Sequence, residues 1–187
     1  MDLEEIIKYV KNTLSEERYY HSKCVMERCE ELARKFDYDI EVARKVGIAH
    51  DIAKELTPQE KIDYCDKNSI KIDDMEEKNP SLLHGKIGAD IAKKQFKFSE
   101  SMCRAIEAHT TGLPNMDMLS KILFIADRTS EDRDLPDIEF INMLLSESID
   151  KTILYILNNK IELQIKKEAS IHINSIITRN WILDILK

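Results

Sequence analysis

Apolar residues along the chain recur at spacings of three and four, which is the period of amphipathic α-helices. The first apolar stripe begins at Leu3, and a second runs from Tyr19 to Ala33 behind a capping sequence at Ser15. The polar run at residues 67–80 predicts a surface loop, and no segment alternates in the manner of a strand. The same periodicity predicts further helices at residues 40–56, 60–66, 81–95, 99–109, 117–128, 137–145, 146–168 and 174–186.

The composition agrees with an all-α fold. Hydrophobic residues make up 43% of the 187 residues, which excludes a disordered chain because such a chain lacks enough apolar surface to offset its ordering entropy. Only 4 Gly and 4 Pro occur, too few for the frequent turns of an all-β fold. We therefore expect one helical domain over residues 1–187, with a core at about 15–145 and C-terminal helices at 146–187 packed on it.

Charge and targeting signals narrow the possible partners. The net charge of −7 argues against general nucleic-acid binding, since phosphate contacts need a surplus of cations. No apolar run approaches the roughly 18 residues that a membrane span requires, and the N-terminal MDLEEIIKYV has no signal-peptide core. The four cysteines form no CxxC pair, so a zinc ribbon is not indicated. We expect a reduced, cytoplasmic protein without membrane contact.

A His-Asp pair is the first candidate for chemistry. His50 and Asp51 follow each other inside the apolar run VGIAHDIAKEL, which we predict to be helical. Burying such a pair is costly unless its members are hydrogen-bonded or bind a metal ion. A hydrogen bond that holds two helices together is the structural alternative.

More ligand-type side chains stand at the ends or on the faces of other predicted helices. Asp127 follows the apolar run KILFIA, and His21 lies one turn after Arg18. His84 begins a helix in LLHGKIGAD, and His109 ends one in IEAHTTG. A single histidine is more commonly a core or surface residue. Imidazoles and carboxylates drawn from several helices, however, suit Fe, Mn or Zn sites in the core of a bundle.

The order of these residues resembles a known family. His21, then His50-Asp51, then Asp127 is similar to the H…HD…D signature of the HD-domain metal-dependent phosphohydrolases. The runs AHDIAK, HGKIGAD, HTTG, KILFIAD and IHINSIITRNW resemble, more closely, the bacterial symmetrical diadenosine tetraphosphate hydrolases of the YqeK type. The resemblance covers about residues 15–185 and implies a compact HD-domain helical bundle.

The resemblance also implies a metal centre. It assigns four ligands to a first ion, namely His21, His50, Asp51 and Asp127. It assigns His84 and His109 either to a second ion, with Asp51 bridging, or to contact with phosphate. It favours iron, as one or two ions, whereas the spacing of the residues alone leaves manganese and zinc open.

The implied activity is metal-assisted hydrolysis of a small dinucleoside polyphosphate, with symmetrical cleavage of diadenosine tetraphosphate into two ADP. Asp51 and His109 are the candidates for handling the proton of the attacking water. Two other classes stay open: an HD phosphohydrolase for nucleoside monophosphates or cyclic nucleotides, and a non-catalytic helical interaction domain. The oligomeric state, a homodimer included, stays open as well.

Three cations are candidates for phosphate contact. Arg18 and Lys54 each lie one turn from a predicted ligand, and Arg133 keeps the family's Arg position. The loop before Arg133 departs from the family, which carries an acidic residue and a proline where this chain has Ser130 and Glu131. Two further cations, Arg104 and Arg128, we expect to be ordinary solvated residues.

Other substrate contacts are predicted around the metal ligands. The resemblance implies that His84 and His109 contact phosphate if they do not bind a second ion. Thr110 follows His109 at a helix end, where hydroxyl and backbone N–H groups are free to bind an anion, and the alternative is a threonine cap that ends the helix before Gly112. Ile171 and His172, between the last two helices, belong to a segment that resembles a wall of the family's nucleotide cleft.

Overall fold

Eleven α-helices and no β-strand make up the computed structural model, which describes all 187 residues. A 3₁₀ turn at Pro80–Leu83 precedes the helix His84–Ile91, and a π-turn at Ala92–Phe96 follows it. The helices are α1 Leu3–Thr13, α2 Glu16–Lys35, α3 Ile40–Ala49, α4 Pro58–Asn68, α5 Asp74–Lys78, α6 His84–Ile91, α7 Glu100–Ala108, α8 Met118–Thr129, α9 Ile138–Glu147, α10 Ile149–Lys166 and α11 Ile173–Ile185. The predicted all-α class is confirmed.

A continuous apolar core joins the N-terminal helices to the C-terminal ones. It extends from Ile6 on α1 to Ile182 on α11, and both side chains are fully buried. Helices α2 and α3 pack closely, because a Cβ added to Gly47 would lie 2.7 Å from the Cα atom of Met26. Glycine is therefore required at this crossing, and the crossing brings the metal-ligand candidates of the two helices together.

The helix predicted at 40–56 is shorter than expected. It ends at Ala49, and the next residues form tight turns in which Ile52 N–H donates to Ala49 O and Lys54 N–H to Asp51 O. Lys61, which is buried, donates through Nζ to the carbonyls of Lys54 and Leu56. A side chain of α4 thus satisfies two backbone carbonyls of the segment between α3 and α4.

The loop predicted at 67–80 is also partly wrong, because residues 74–78 form the short helix α5. Asp73 caps this helix by accepting from the N–H groups of Met75 and Glu76, and Glu76 binds back to the Asp73 N–H. The polar composition concealed a capping box, a local signal that favours a helix start.

The last helix, α11, packs against the HTTG segment that follows α7. Gly112 has a φ of +74°, and a Cβ there would lie 2.8 Å from the Thr178 side chain on α11. Ser175, on the same helix, donates through Oγ to the carbonyl of Thr111. The HTTG segment is therefore held directly against α11. No helix combines the length and the apolar character needed to cross a membrane.

Candidate metal centre

Six ligand-type side chains converge at the middle of the bundle. They come from five places in the chain that lie up to about a hundred residues apart, and all but one belong to buried residues. They are His21 on α2, His50 and Asp51 in the turn after α3, His84 at the start of α6, His109 at the end of α7, and Asp127 in the last turn of α8.

A first group surrounds one carboxylate oxygen of Asp127. Its Oδ1 atom lies 3.2 Å from His21 Nε2 and 3.7 Å from His50 Nε2. The Oδ2 atom of Asp51 completes the group, at 3.6 Å from His50 Nε2 and 4.0 Å from His21 Nε2. These four side chains are the ones predicted to hold a first ion, and the fold brings all of them together.

Asp51 joins this group to a second one. Its other oxygen, Oδ1, lies 3.3 Å from His84 Nε2 and 3.5 Å from His109 Nε2, and these two nitrogens are 3.1 Å apart. Thr110 Oγ1 lies 3.0 Å from His109 Nε2 and 3.2 Å from His84 Nε2. The geometry is therefore the one that a carboxylate bridging two neighbouring sites requires.

Three of the imidazoles are oriented in the same way. In each, Nδ1 lies at hydrogen-bonding distance from the backbone carbonyl three residues earlier, which only accepts. The Nδ1 atom therefore carries a proton, and the ring directs its Nε2 atom at the centre. The pairs are His50 with Gly47, His84 with Ser81, and His109 with Ile106.

Burial keeps two of these rings neutral. It lowers the pKa of His50 to about 4 and that of His84 to about 3. Burial also lowers the pKa of His21, but hydrogen bonds to Asp127 and Asp132 outweigh burial and raise it above the usual value. For Asp51, burial raises the pKa of the carboxyl, and the imidazoles around it bring that pKa well below its usual value.

The donor set fits a divalent transition metal. His50 Nε2 and Asp51 Oδ1 are buried and have no hydrogen-bond partner, which is costly for polar atoms unless a cation binds them. Ligand atoms that share one ion at about 2.0–2.2 Å lie about 3.0–3.6 Å from one another. The observed separations are close to this range, and neutral imidazoles with carboxylates are the ligands that such ions prefer.

The three predicted phosphate cations border the same centre. Arg18 Nη1 donates to Asp51 Oδ2 at 3.1 Å, and Arg133 Nη2 donates to Asp127 Oδ1 at 3.1 Å. Lys54 Nζ lies 3.2 Å from His84 Nε2. Lys54 reaches the centre from the turn after α3, not from a continued helix as the periodicity predicted.

Comparison with protein families agrees with the signature in the sequence. The model of the HD domain matches residues 18–132, a segment that contains all six ligand-type side chains. The chain belongs to the HD-domain family.

Full-length relatives of this HD-domain chain carry a more specific name. Proteins named bis(5'-nucleosyl)-tetraphosphatase, symmetrical, from Bacillus subtilis and Halalkalibacterium halodurans are 28% and 30% identical to it, and 98% of each chain is covered. A protein of the same name from Staphylococcus aureus is 29% identical over 97% of this chain and 94% of its own length.

A solved structure shares the fold over its whole length. It is a Clostridium acetobutylicum protein described as a predicted HD superfamily hydrolase involved in NAD metabolism. It superposes with a TM-score of 0.93 at 35% identity, and 98% of each chain is covered. The family fold therefore extends through the C-terminal helices of this chain.

A cavity of about 740 Å³ opens beside Asp127. Its size falls within the range of about 300–1,000 Å³ that is usual for small-molecule sites. Four of the residues predicted to contact substrate line it, namely Thr110, Arg133, Ile171 and His172. The other four, namely Arg18, Lys54, His84 and His109, lie at the metal centre and not in the cavity wall.

His172 lines this cavity and contacts two residues outside its wall. Its Nδ1 atom accepts from the Asn174 N–H, and its Nε2 atom lies 3.4 Å from Asp73 Oδ2. Glu76 lies in the same cluster as His172 and Asp73, and it forms an ion pair with Lys86 at 2.6 Å. The prediction that His172 lines the cleft thus agrees with its place, and its neighbouring carboxylates are engaged within the protein.

Sequence reasoning missed three side chains at or near the cavity and the metal centre. Asp132 Oδ2 lies 2.8 Å from His21 Nδ1, although nothing local marks Asp132 among the acidic residues of its loop. Lys160 and Arg128 both line the cavity. Arg128, predicted to be an ordinary solvated residue, is thus part of the cavity wall. Arg104, for which the same was predicted, donates to the Pro114 carbonyl and does not line the cavity. The adjacency of Arg128 to Asp127 was the one available signal.

Proposed function

We propose that this HD-domain chain is a metal-dependent hydrolase that cleaves diadenosine tetraphosphate symmetrically into two ADP. The observation that carries the proposal is the convergence of six ligand-type side chains around Asp51, next to a cavity of nucleotide size. The full-length similarity to proteins named symmetrical bis(5'-nucleosyl)-tetraphosphatase supports the choice of substrate.

The proposed ligands divide at Asp51. His21, His50, Asp51 and Asp127 would hold one ion. His84, His109 and Asp51 would hold a second ion, and Lys54, whose Nζ now lies next to His84 Nε2, would then turn to phosphate. Bound there, a divalent ion supplies Lewis acidity for a phosphoryl oxygen and lowers the pKa of a water molecule. We propose iron, which the mixed imidazole and carboxylate set accommodates.

The cations of the site bind the phosphate groups in this proposal. Arg18, Lys54 and Arg133 now contact the carboxylates or imidazoles of the centre, within hydrogen-bonding distance. When metal neutralises the carboxylates, the guanidinium and ammonium groups can turn toward phosphoryl oxygens and stabilise the charge that develops on them. The Thr110 hydroxyl, at the edge of the cavity, adds a neutral donor.

The proposed reaction breaks the central phosphoanhydride bond. The oxygen of a water molecule forms a new bond to one of the two middle phosphorus atoms, and the bridging oxygen leaves with the other ADP. When only the first site holds an ion, Asp51 Oδ1 and His109 Nε2 stay free of metal, and one of them accepts the proton from the attacking water because both face the centre. Ile171 and His172 form the cavity wall against the nucleoside.

Product analysis tests this function directly. Purified protein loaded with iron or manganese is incubated briefly with diadenosine tetraphosphate, and the nucleotides are separated by anion-exchange chromatography. ADP as the sole product is expected. AMP together with ATP would refute symmetrical cleavage. Turnover of nucleoside monophosphates or cyclic nucleotides, with none of the dinucleotide, would assign the site to another HD-type reaction.

A further inference from the structure

One cation of the cavity has no anionic partner in the protein. Lys160 lies on α10, partly buried, and lines the cavity beside Asp127. Its single hydrogen bond is from Nζ to the carbonyl of Thr110, at 3.2 Å. The ammonium also lies 4.6 Å from the centre of the Phe124 ring, whose face attracts a cation. An ammonium has three donors, so two remain for a ligand.

Three other sheltered lysines of this chain are differently placed. Lys61 donates to two backbone carbonyls, and Lys121 pairs with Asp150 at 2.6 Å. Lys86 pairs with Glu76, also at 2.6 Å. Lys160 forms no ion pair, and a partly buried charge without one is costly.

The charged groups around Lys160 leave its ammonium free to bind an anion in the cavity. Burial lowers the pKa of its ammonium, Asp127 raises it, and Arg128 lowers it. Asp127 is a proposed metal ligand, so its negative charge is shared with the metal centre. Arg128 lines the same cavity and likewise forms no ion pair or hydrogen bond within the protein. Two partly buried cations without ion pairs therefore share the wall of one cavity in a chain whose net charge is −7.

We propose that Lys160, with Arg128 beside it, forms a phosphate subsite that binds the polyphosphate of the substrate away from the metal ligands. Lys160 reaches phosphoryl oxygens with its two free donors while its third holds the Thr110 carbonyl. This assignment rests on the proposed function for the identity of the substrate, but the subsite itself requires only a ligand with phosphate groups.

A purely structural role for Lys160 is the competing explanation, since its bond to Thr110 also ties α10 to the end of α7. The two roles differ in what they need. Binding the Thr110 carbonyl needs one hydrogen-bond donor within reach of that oxygen. Binding phosphate needs a positive charge and further N–H donors that are not used by the protein. Substitution by arginine keeps the charge, and substitution by methionine keeps most of the apolar stem without it.

The test measures binding to metal-loaded protein by calorimetry, with ADP and pyrophosphate as separate probes. Four proteins are compared: the unchanged chain, Lys160→Met, Lys160→Arg and the control Lys166→Met. Lys166 lies on the same helix, is mostly exposed and pairs only with Glu162. Metal content and melting temperature are recorded for each, so that a folding defect is recognised.

We expect Lys160→Met to weaken both probes about tenfold or more with its metal content unchanged, as the loss of a charge-assisted contact predicts. Lys160→Arg should stay within about threefold of the unchanged chain, and Lys166→Met should equal it. Undiminished binding to Lys160→Met would overturn the proposal. So would a loss for ADP but not for pyrophosphate, equal losses in the two Lys160 variants with lowered melting temperatures, or no binding by the unchanged chain.

Hydrolysis of diadenosine tetraphosphate by the unchanged chain is assayed separately. If the chain binds pyrophosphate through Lys160 but does not cleave the dinucleotide, the proposed function fails and the subsite stands. If it cleaves the dinucleotide and Lys160→Met binds both probes normally, the subsite fails and the function stands.

Discussion

The Nδ1 atom of His21 lies 2.8 Å from the Oδ2 atom of Asp132. The other three imidazoles of the centre are oriented by backbone carbonyls, so His21 is the one ligand candidate whose Nδ1 meets a side chain. A carboxylate in this position fixes the ring and makes Nε2 a better metal ligand. The loop that departs from the family pattern thus supplies a support for the metal centre.

Replacing Asp132 should weaken metal binding. We expect Asp132→Ala to lower metal affinity about 10- to 100-fold, the usual effect of losing a group that orients a ligand. Asp132→Asn should lose less, because its amide oxygen still accepts from Nδ1. Competition with a chelator measures the affinity. Asp134→Ala in the same loop is the control, and equal affinities for Asp132→Ala and this control would contradict the role.

Removing a ligand of the first group should remove both metal and activity. His50 is fully buried, and its Nε2 atom has no partner within the protein. Elemental analysis of purified His50→Ala and Asp51→Ala should find little transition metal, and neither should hydrolyse the dinucleotide. His172→Ala, which changes a buried histidine away from the centre, should keep its metal. Full activity in unchanged protein shown to be free of metal would contradict this prediction.

Metal removal should lower thermal stability. An ion that binds only the folded chain stabilises it by about 2.7 kcal/mol at a concentration 100 times its dissociation constant. For a chain of this length, that free energy corresponds to about 5–11 °C in melting temperature. Calorimetric scans with and without chelator measure the shift. His50→Ala should show no shift, and an equal shift in that variant would place the stabilising ion elsewhere.

The three cations that border the centre should contribute to substrate affinity. Arg18→Ala, Lys54→Ala and Arg133→Ala should each lower kcat/KM about tenfold or more, since each removes a charge-assisted contact to phosphate. Metal content should be retained in all three. Arg104→Ala serves as the control because Arg104 binds the Pro114 carbonyl and does not line the cavity. Unchanged kinetic constants in the three variants would mean that the phosphates bind elsewhere.

The crossing of α2 and α3 should not tolerate a larger residue. Because a Cβ at position 47 would lie 2.7 Å from the Met26 backbone, Gly47→Ala must push the helices apart. Overpacking of this kind costs about 1–3 kcal/mol, which lowers the melting temperature by about 2–12 °C. Gly88→Ala, whose added Cβ would make only ordinary contacts from 3.4 Å, is the control. A melting temperature for Gly47→Ala equal to that of Gly88→Ala would contradict the packing argument.

Local pattern was sufficient for the all-α class and for most helix positions. Periodicity of apolar residues reports which face of a helix is buried, and this property depends on neighbours within a few turns. It failed where a side chain of another helix binds the backbone. The helix expected to reach Leu56 ends at Ala49, and Lys61 of α4 binds the carbonyls of Lys54 and Leu56 in the segment that follows.

The sequence by itself determined which side chains are available to bind metal, because their types and order form a recognisable signature. The tertiary structure alone decided that Asp51 faces His50 with one oxygen and His84 with the other. It also decided that Asp132 supports His21 and that Lys160 lines the cavity without an anionic partner. Apart from the adjacent His50 and Asp51, these relationships join residues 33 or more positions apart. Their distances depend on how whole helices pack, which no local pattern encodes.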